Sequence, residues 1–168
     1  QLNQGRLHVD LIIPDYIQSI EPYEPGKPIQ ELERDYGIQD SIKLASNENP
    51  LGPSPKAVMA IKSMLNDLHR YPEGGGYALV DELASHLGVT SESIVLGNGS
   101  DEVIGLLSRT LLAPGDQAIM PQPSFLMYEI TVRSVGAEAI KVPLKKDLTI
   151  DQEAILGHVK PRTRIIFL

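Results

Sequence analysis

Ile94-Val95-Leu96-Gly97-Asn98-Gly99-Ser100-Asp101-Glu102 decides how this 168-residue chain is read. Three apolar strand-formers run into two glycines, and a helix-period segment follows at once, to about Leu112, with Val103, Ile104, Leu107 and Leu111 inward. A buried strand that turns through glycine into a helix is the unit of an α/β fold. Outward from it the alternation repeats. Downstream, Pro114-Gly115-Asp116 is a turn and Gln117 to Met120 a strand. Ser124 caps a helix ending at Gly136, and Ala137 to Val142 is a strand. Asp151 to about Val159 is a helix, and Arg164 to Leu168 a final strand. Upstream, Leu79, Val80, Leu83, Ala84 and Leu87 form one helical face stopped by Gly88. Ser54-Pro55 opens another helix, with a hydroxyl cap and proline at the first helical position. Val58, Ile61, Met64, Leu65 and Leu68 keep its spacing as far as His69. Lys43-Leu44-Ala45 is a short strand candidate before the polar turn Ser46-Asn47-Glu48-Asn49-Pro50. The pattern predicts an α/β domain with a mostly parallel sheet. Residues 1 to about 42 differ: Pro14, Pro22, Pro25-Gly26-Lys27-Pro28 and Gly37 break every periodic run. They predict an arm laid across something larger.

Composition narrows the function classes. Hydrophobic residues make up 42% and charged residues 22%, ordinary for a globular chain. With no cysteine, disulfides, thiolate nucleophiles and cysteine-ligated metals are excluded. The four histidines, His8, His69, His86 and His158, have no ligand spacing, so no metal site is expected. A net charge of -7 provides no basic stripe, so no nucleic acid is expected as a partner. No apolar run reaches the ~20 residues of a membrane span, and Gln1 to Pro14 lacks a signal-peptide layout. The expected setting is cytoplasmic. The chain begins without methionine and stops inside an apolar strand, and is expected to be a piece of a longer protein.

The glycine turn is the leading candidate for chemistry. The first amides of a helix have no intrahelical acceptor, and glycines let a ligand approach the backbone. A phosphate there would take the amides of Ser100 and Asp101 and the Ser100 hydroxyl. A plain turn between strand and helix fits the spacing equally well. Asp101 and Glu102 suit the positive end of the helix in either case. The loop lacks the Walker lysine and the dinucleotide fingerprint, which disfavours a nucleotide. Phe125 follows Pro121-Gln122-Pro123-Ser124, where a parallel sheet presents the carboxyl ends of its strands and binds ligands. Its ring would either stack on a planar ligand or fill the core. Tyr71, in Arg70-Tyr71-Pro72-Glu73-Gly74-Gly75-Gly76, and Tyr23, in Glu21-Pro22-Tyr23, are loop tyrosines within reach of a phosphate or plain surface.

The order of motifs resembles one family. Pro14-Asp15-Tyr16-Ile17, then Pro22-Tyr23-Glu24-Pro25-Gly26-Lys27-Pro28, then Ile42-Lys43-Leu44-Ala45-Ser46-Asn47-Glu48-Asn49-Pro50-Leu51-Gly52-Pro53-Ser54-Pro55 resemble the opening of histidinol-phosphate aminotransferases. Arg70-Tyr71-Pro72, Gly99-Ser100-Asp101-Glu102 and Pro123-Ser124-Phe125 follow in that family's order. The match runs from about residue 12 to the end. The arm and the Asn47 turn are fairly specific to this family, while the later motifs are shared among fold type I enzymes that use pyridoxal phosphate.

The resemblance implies a three-layer αβα fold in which residues 1–42 are the arm and the start of the small domain. Residues 43–168 would be the first part of the large cofactor-binding domain. It implies that the amides of Gly99, Ser100 and Asp101 hold the phosphate of pyridoxal phosphate and that Phe125 stacks on the pyridine. Tyrosine is common at that position, so phenylalanine keeps the stacking and drops the hydroxyl. Tyr71 would reach the cofactor phosphate of the partner subunit in a homodimer with shared active sites. Tyr23 and Asn47 would line the substrate pocket. The implied reaction moves an amino group between L-histidinol phosphate and 2-oxoglutarate, with glutamate as the other amino carrier.

The same resemblance places the Schiff-base lysine, the aspartate at the pyridine nitrogen and the carboxylate-binding arginines after Leu168. None of the eight lysines here has the context of that lysine, so residues 1–168 alone are expected to be inactive. Two other readings compete, the first of which shares the glycine turn and the Tyr71-Pro72 loop. One is a pyridoxal-phosphate-dependent threonine-phosphate decarboxylase of cobalamin biosynthesis, which the proline-rich arm and Asn47-Glu48-Asn49-Pro50 disfavour. The other is a non-catalytic pyridoxal-phosphate-binding domain behind a DNA-binding head. It is disfavoured because Gln1 to Ile42 has no helix-turn-helix pattern and little positive charge.

Overall fold

The computed structural model describes residues 12–23, 26–44 and 47–168. These divide into two compact units: the described residues up to Tyr23 with Gly97–Leu168, and Glu24–Leu96. The first unit holds helices α1 (Asp15–Gln18), α5 (Gly99–Leu111), α6 (Leu126–Ser134) and α7 (Gln152–Gly157) around strands β1 (Gln117–Gln122), β2 (Glu138–Pro143) and β3 (Thr163–Ile166). The second holds α2 (Ile29–Tyr36), α3 (Pro55–Met64) and α4 (Tyr77–Leu87), with 3-10 turns at Leu65–Asp67 and Ser91–Ser93.

The sheet of the first unit has the order β2-β1-β3, and both pairings are parallel. Ala118, Ile119, Met120 and Pro121 are buried in succession, as expected of a strand covered on both faces. Alternation splits their side chains between two cores. Ala118 and Met120 meet Ile104, Leu112, Val132, Ala137 and Phe167, whereas Ile119 meets Val142 and Ile155. Helices α5 and α6 therefore cover one face and α7 the other. The αβα layering and parallel sheet expected from the sequence are both present.

Small residues set the approach of α5 to α6. The buried stripe of α5 is Ile104, Gly105 and Ser108, and the Ser108 hydroxyl donates to Thr131 Oγ1 at 3.3 Å. Leu107 and Leu111, expected inward, are 44% and 49% exposed. Sequence hydrophobicity picked the wider apolar stripe, but two helices approach where side chains are small.

Other expectations shift. The arm is not wholly irregular, because α1 and α2 form within it and Gly37 ends α2 in the left-handed conformation. Ile94 is extended, but Ile94–Leu96 joins no strand among the described residues and Val95 is 73% exposed. Lys43 and Leu44 are irregular rather than a strand, and Ala45 and Ser46 lie outside the described residues. Ser54 precedes α3 with proline at its start but makes no side-chain cap bond. The α-helical part of that segment stops at Met64, short of His69. Phe125, not Ser124, caps α6. Asp151 caps α7, its carboxylate accepting from the Ala154 amide at 3.1 Å.

Candidate functional site

Two contacts fix how α5 and α6 lie together. Ser108, in the last third of α5, meets Thr131 near the middle of α6, and beyond the helix ends the Gly115 amide donates to the Gly136 carbonyl at 3.2 Å. The helices are therefore parallel, and their N-termini share one end of the unit. At 1.5 Å per residue, Gly99 lies about 14 Å from the Ser108 level and Leu126 about 8 Å from the Thr131 level. This is also the end at which β1 delivers its carboxyl terminus, through Gln122, Pro123 and Ser124, to Phe125. Gly99 to Asp101 and Phe125, apart by more than twenty residues in the chain, thus come to the same sheet edge.

The local chemistry of the α5 terminus follows from its turn. Gly97 permits a close approach: a Cβ there would sit 2.7 Å from Val103 Cγ2. Gly99 has φ +78, which side-chain-bearing residues rarely adopt, and a Cβ on it would meet nothing within 4 Å. The space in front of Gly99 is open. Glu102 folds back so that its carboxylate accepts the Asn98 amide. The Gly99 amide donates to the Gly97 carbonyl at 2.9 Å. The Ser100 and Asp101 amides have no acceptor among the described residues and sit at the positive end of a thirteen-residue helix. An anion arriving there would meet two free backbone donors and an exposed serine hydroxyl.

Phe125 is 42% exposed, neither buried in the core nor free of it. Its ring makes a T-shaped contact with Tyr128, centroids 5.7 Å apart at 86°, and Tyr128 stacks on Phe167 at 4.3 Å and 9°. Sequence reading missed Tyr128. The signal was its place three residues after Phe125, one helical turn along. Beside this row, Glu129 binds Lys141 at 2.7 Å and Arg133 at 3.4 Å, and Arg133 also donates to the Ser19 carbonyl at 2.7 Å. These residues line a cleft of about 180 Å³ with Ile20 and Glu21. Glu129, Arg133 and Lys141 pair with one another, and the Arg133 bond to Ser19 braces the end of α1 against α6.

Tyr23 is 51% exposed in the first unit. Tyr71 and Asn47 belong to the second unit. Tyr71 is wholly exposed, beside a surface hollow lined by Met64, Leu68, Arg70 and Pro72. Its loop is held by Glu73, whose carboxylate accepts from the Gly75 amide at 2.8 Å and the Tyr77 amide at 2.7 Å. Those bonds, the one from Tyr77 foremost, hold the Glu73 carboxyl below its ordinary range. Asn47 is exposed. Among the described residues there is no group of three or more potential metal ligands, and no helix is long and apolar enough to cross a membrane.

Comparison with known proteins gives this geometry a context. Residues 39–168 match the family model of aminotransferase class I and II. The chain is 48% identical over 167 residues to a histidinol-phosphate aminotransferase of Desulfotalea psychrophila, covering 99% of this chain and 44% of that protein. It is 45% identical over 152 residues to one of Moorella thermoacetica, covering 90% of this chain and 39% of that protein. The chain thus spans about two-fifths of the length of these relatives. Among solved structures it resembles the histidinol-phosphate aminotransferase of Sinorhizobium meliloti in complex with pyridoxal-5'-phosphate. The TM-score is 0.77 at 25% identity, over 92% of this chain and 41% of that one.

Proposed function

This chain belongs to the class I and II aminotransferases, and from that premise we propose that the protein containing it moves an amino group between L-histidinol phosphate and 2-oxoglutarate, with pyridoxal phosphate as cofactor. The carrying observation is 48% identity, over nearly the whole chain, to a relative named for that activity. The setting we assign is histidine biosynthesis in the cytoplasm.

The residues present fit the cofactor. Two unbonded amides and a hydroxyl face open space at a helix N-terminus, and an aromatic ring is half exposed at the same sheet edge. When bound, pyridoxal phosphate supplies an aldehyde that exchanges with amino groups and a ring that takes up electrons from the reacting carbon. This chain contributes binding and orientation. Ser100 and Asp101 hold the phosphate through their amides, and the positive end of α5 favours its charge. Gly99 contributes its conformation and clearance, because its own amide is spent on Gly97. Phe125 lies against the ring face. Tyr23 and Asn47 line the substrate side. We take residues 1–42 as the arm and start of the small domain, and 43–168 as the first part of the large domain.

The assembly we propose is a homodimer in which Tyr71 of the partner subunit reaches the phosphate. The complete exposure of Tyr71 supports it, as does the apolar surface beside it, where Met64 is 58% and Leu68 75% exposed. A second copy of the chain would cover such a surface.

A protein of the relatives' length carrying this chain tests the reading directly. Given L-histidinol phosphate, 2-oxoglutarate and pyridoxal phosphate, it is expected to form glutamate. Release of carbon dioxide from threonine phosphate, without glutamate from histidinol phosphate, would contradict the proposal.

A further inference from the structure

We infer that Tyr128 is a positioning residue, fixing the ring of Phe125 in the orientation that a planar cofactor ring meets. This rests on the reading of Phe125 as the stacking residue. Phe125 occupies the cap position of α6, outside the helix proper, with φ -67 and ψ 120. A ring 42% exposed at such a place has few neighbours to select its rotamer. Tyr128 supplies the missing constraint twice. Its amide donates to the Phe125 carbonyl at 3.1 Å, and its ring stands at 86° to the Phe125 ring with centroids 5.7 Å apart.

Tyr128 is itself held. Its ring lies on that of Phe167 at 4.3 Å and 9°, and Phe167 is 8% exposed in the core with Ile104, Met120 and Val132. A row of three rings therefore runs from the packed interior to the sheet edge, and the chain's two phenylalanines are its two ends. Edge contacts of this kind set ring orientation as well as adding to stability. The tyrosine hydroxyl makes no hydrogen bond among the described residues, so the orienting element is the ring.

The test is equilibrium titration of the relatives'-length protein with pyridoxamine phosphate, which carries no aldehyde and so reads phosphate and ring contacts alone. Tyr128→Leu is expected to weaken affinity about two- to tenfold, the worth of one aromatic pair. Tyr128→Phe is expected to restore wild-type affinity. In a Phe125→Leu background, Tyr128→Leu is expected to add no further loss. Independent, additive losses overturn the inference, and so does wild-type affinity in Tyr128→Leu. A loss in Phe125→Leu with none in Tyr128→Leu overturns this inference alone. Unchanged affinity in Phe125→Leu overturns the stacking reading and the inference with it. Tyr128→Met, whose flexible side chain adapts to an irregular gap, carries the same expectations if Tyr128→Leu does not fold.

Discussion

At the scale of single residues, Ser100 carries most of the proposed chemistry with the least structural burden. It is exposed, its amide is unbonded and it sits on the first turn of α5. Replacing it with glutamate would put a second anion where the phosphate is proposed to lie. Like charges a few ångströms apart at a protein surface cost enough that Ser100→Glu is expected to weaken cofactor affinity on the order of a hundredfold. Equilibrium titration measures it, and unchanged affinity removes Ser100 from the site. Glu73 makes a pH-dependent prediction. Its folded carboxyl titrates below the ordinary value of 4.5 because the Tyr77 and Gly75 amides donate to it. A depressed value means the contribution is complete above that ordinary value and is lost as pH falls through the folded one. The protection of the Tyr77 amide, its exchange relative to the intrinsic rate at the same pH, should therefore fall in acid, and Glu73→Ala should lower it at neutral pH. Protection that is indifferent to both changes would show that the carboxylate does not hold the loop. Sequence alone could nominate Gly99 for the turn, but not reveal that its amide turns inward to Gly97. That detail belongs to backbone geometry, which residue type constrains without specifying.

At the scale of elements, periodicity located β1, β2, β3, α4, α5, α6 and α7 to within a few residues, because each carries a regular apolar pattern in its sequence. It failed where burial and apolarity part company. Leu107 and Leu111 are more apolar than Gly105 and Ser108, yet the small pair faces α6. The helix α2 was hidden by the prolines around it, although Pro28 only precedes its first turn and is compatible with a helix start. Ile94–Leu96 has strand composition without a strand partner among the described residues, and composition cannot say where a partner comes from. The central strand makes the sharpest stability prediction. Ile119 is fully buried against Val142 and Ile155 and paired on both sides. Ile119→Ala is expected to cost about 2–5 kcal/mol, read by denaturant unfolding. A loss well under 1 kcal/mol would mean that α7 does not pack on this sheet as described.

At the scale of the whole molecule, the order of motifs along the chain carried the functional reading, because no single motif is specific. Tyr71 and Asn47 show why geometry had to follow: they lie in a different compact unit from Ser100 and Phe125. Under the proposed dimer, Tyr71→Phe should weaken cofactor binding while sedimentation still reports a dimer. A monomer, or unchanged affinity, would count against shared sites. The most direct measurement is a crystal structure of the relatives'-length protein with pyridoxal phosphate. The expected result places phosphate oxygens about 2.7–3.2 Å from the Ser100 and Asp101 amides, with the pyridine against Phe125. A phosphate held elsewhere, with those two amides bonded only to water, would contradict the central claim that the N-terminus of α5 is the cofactor's anchor.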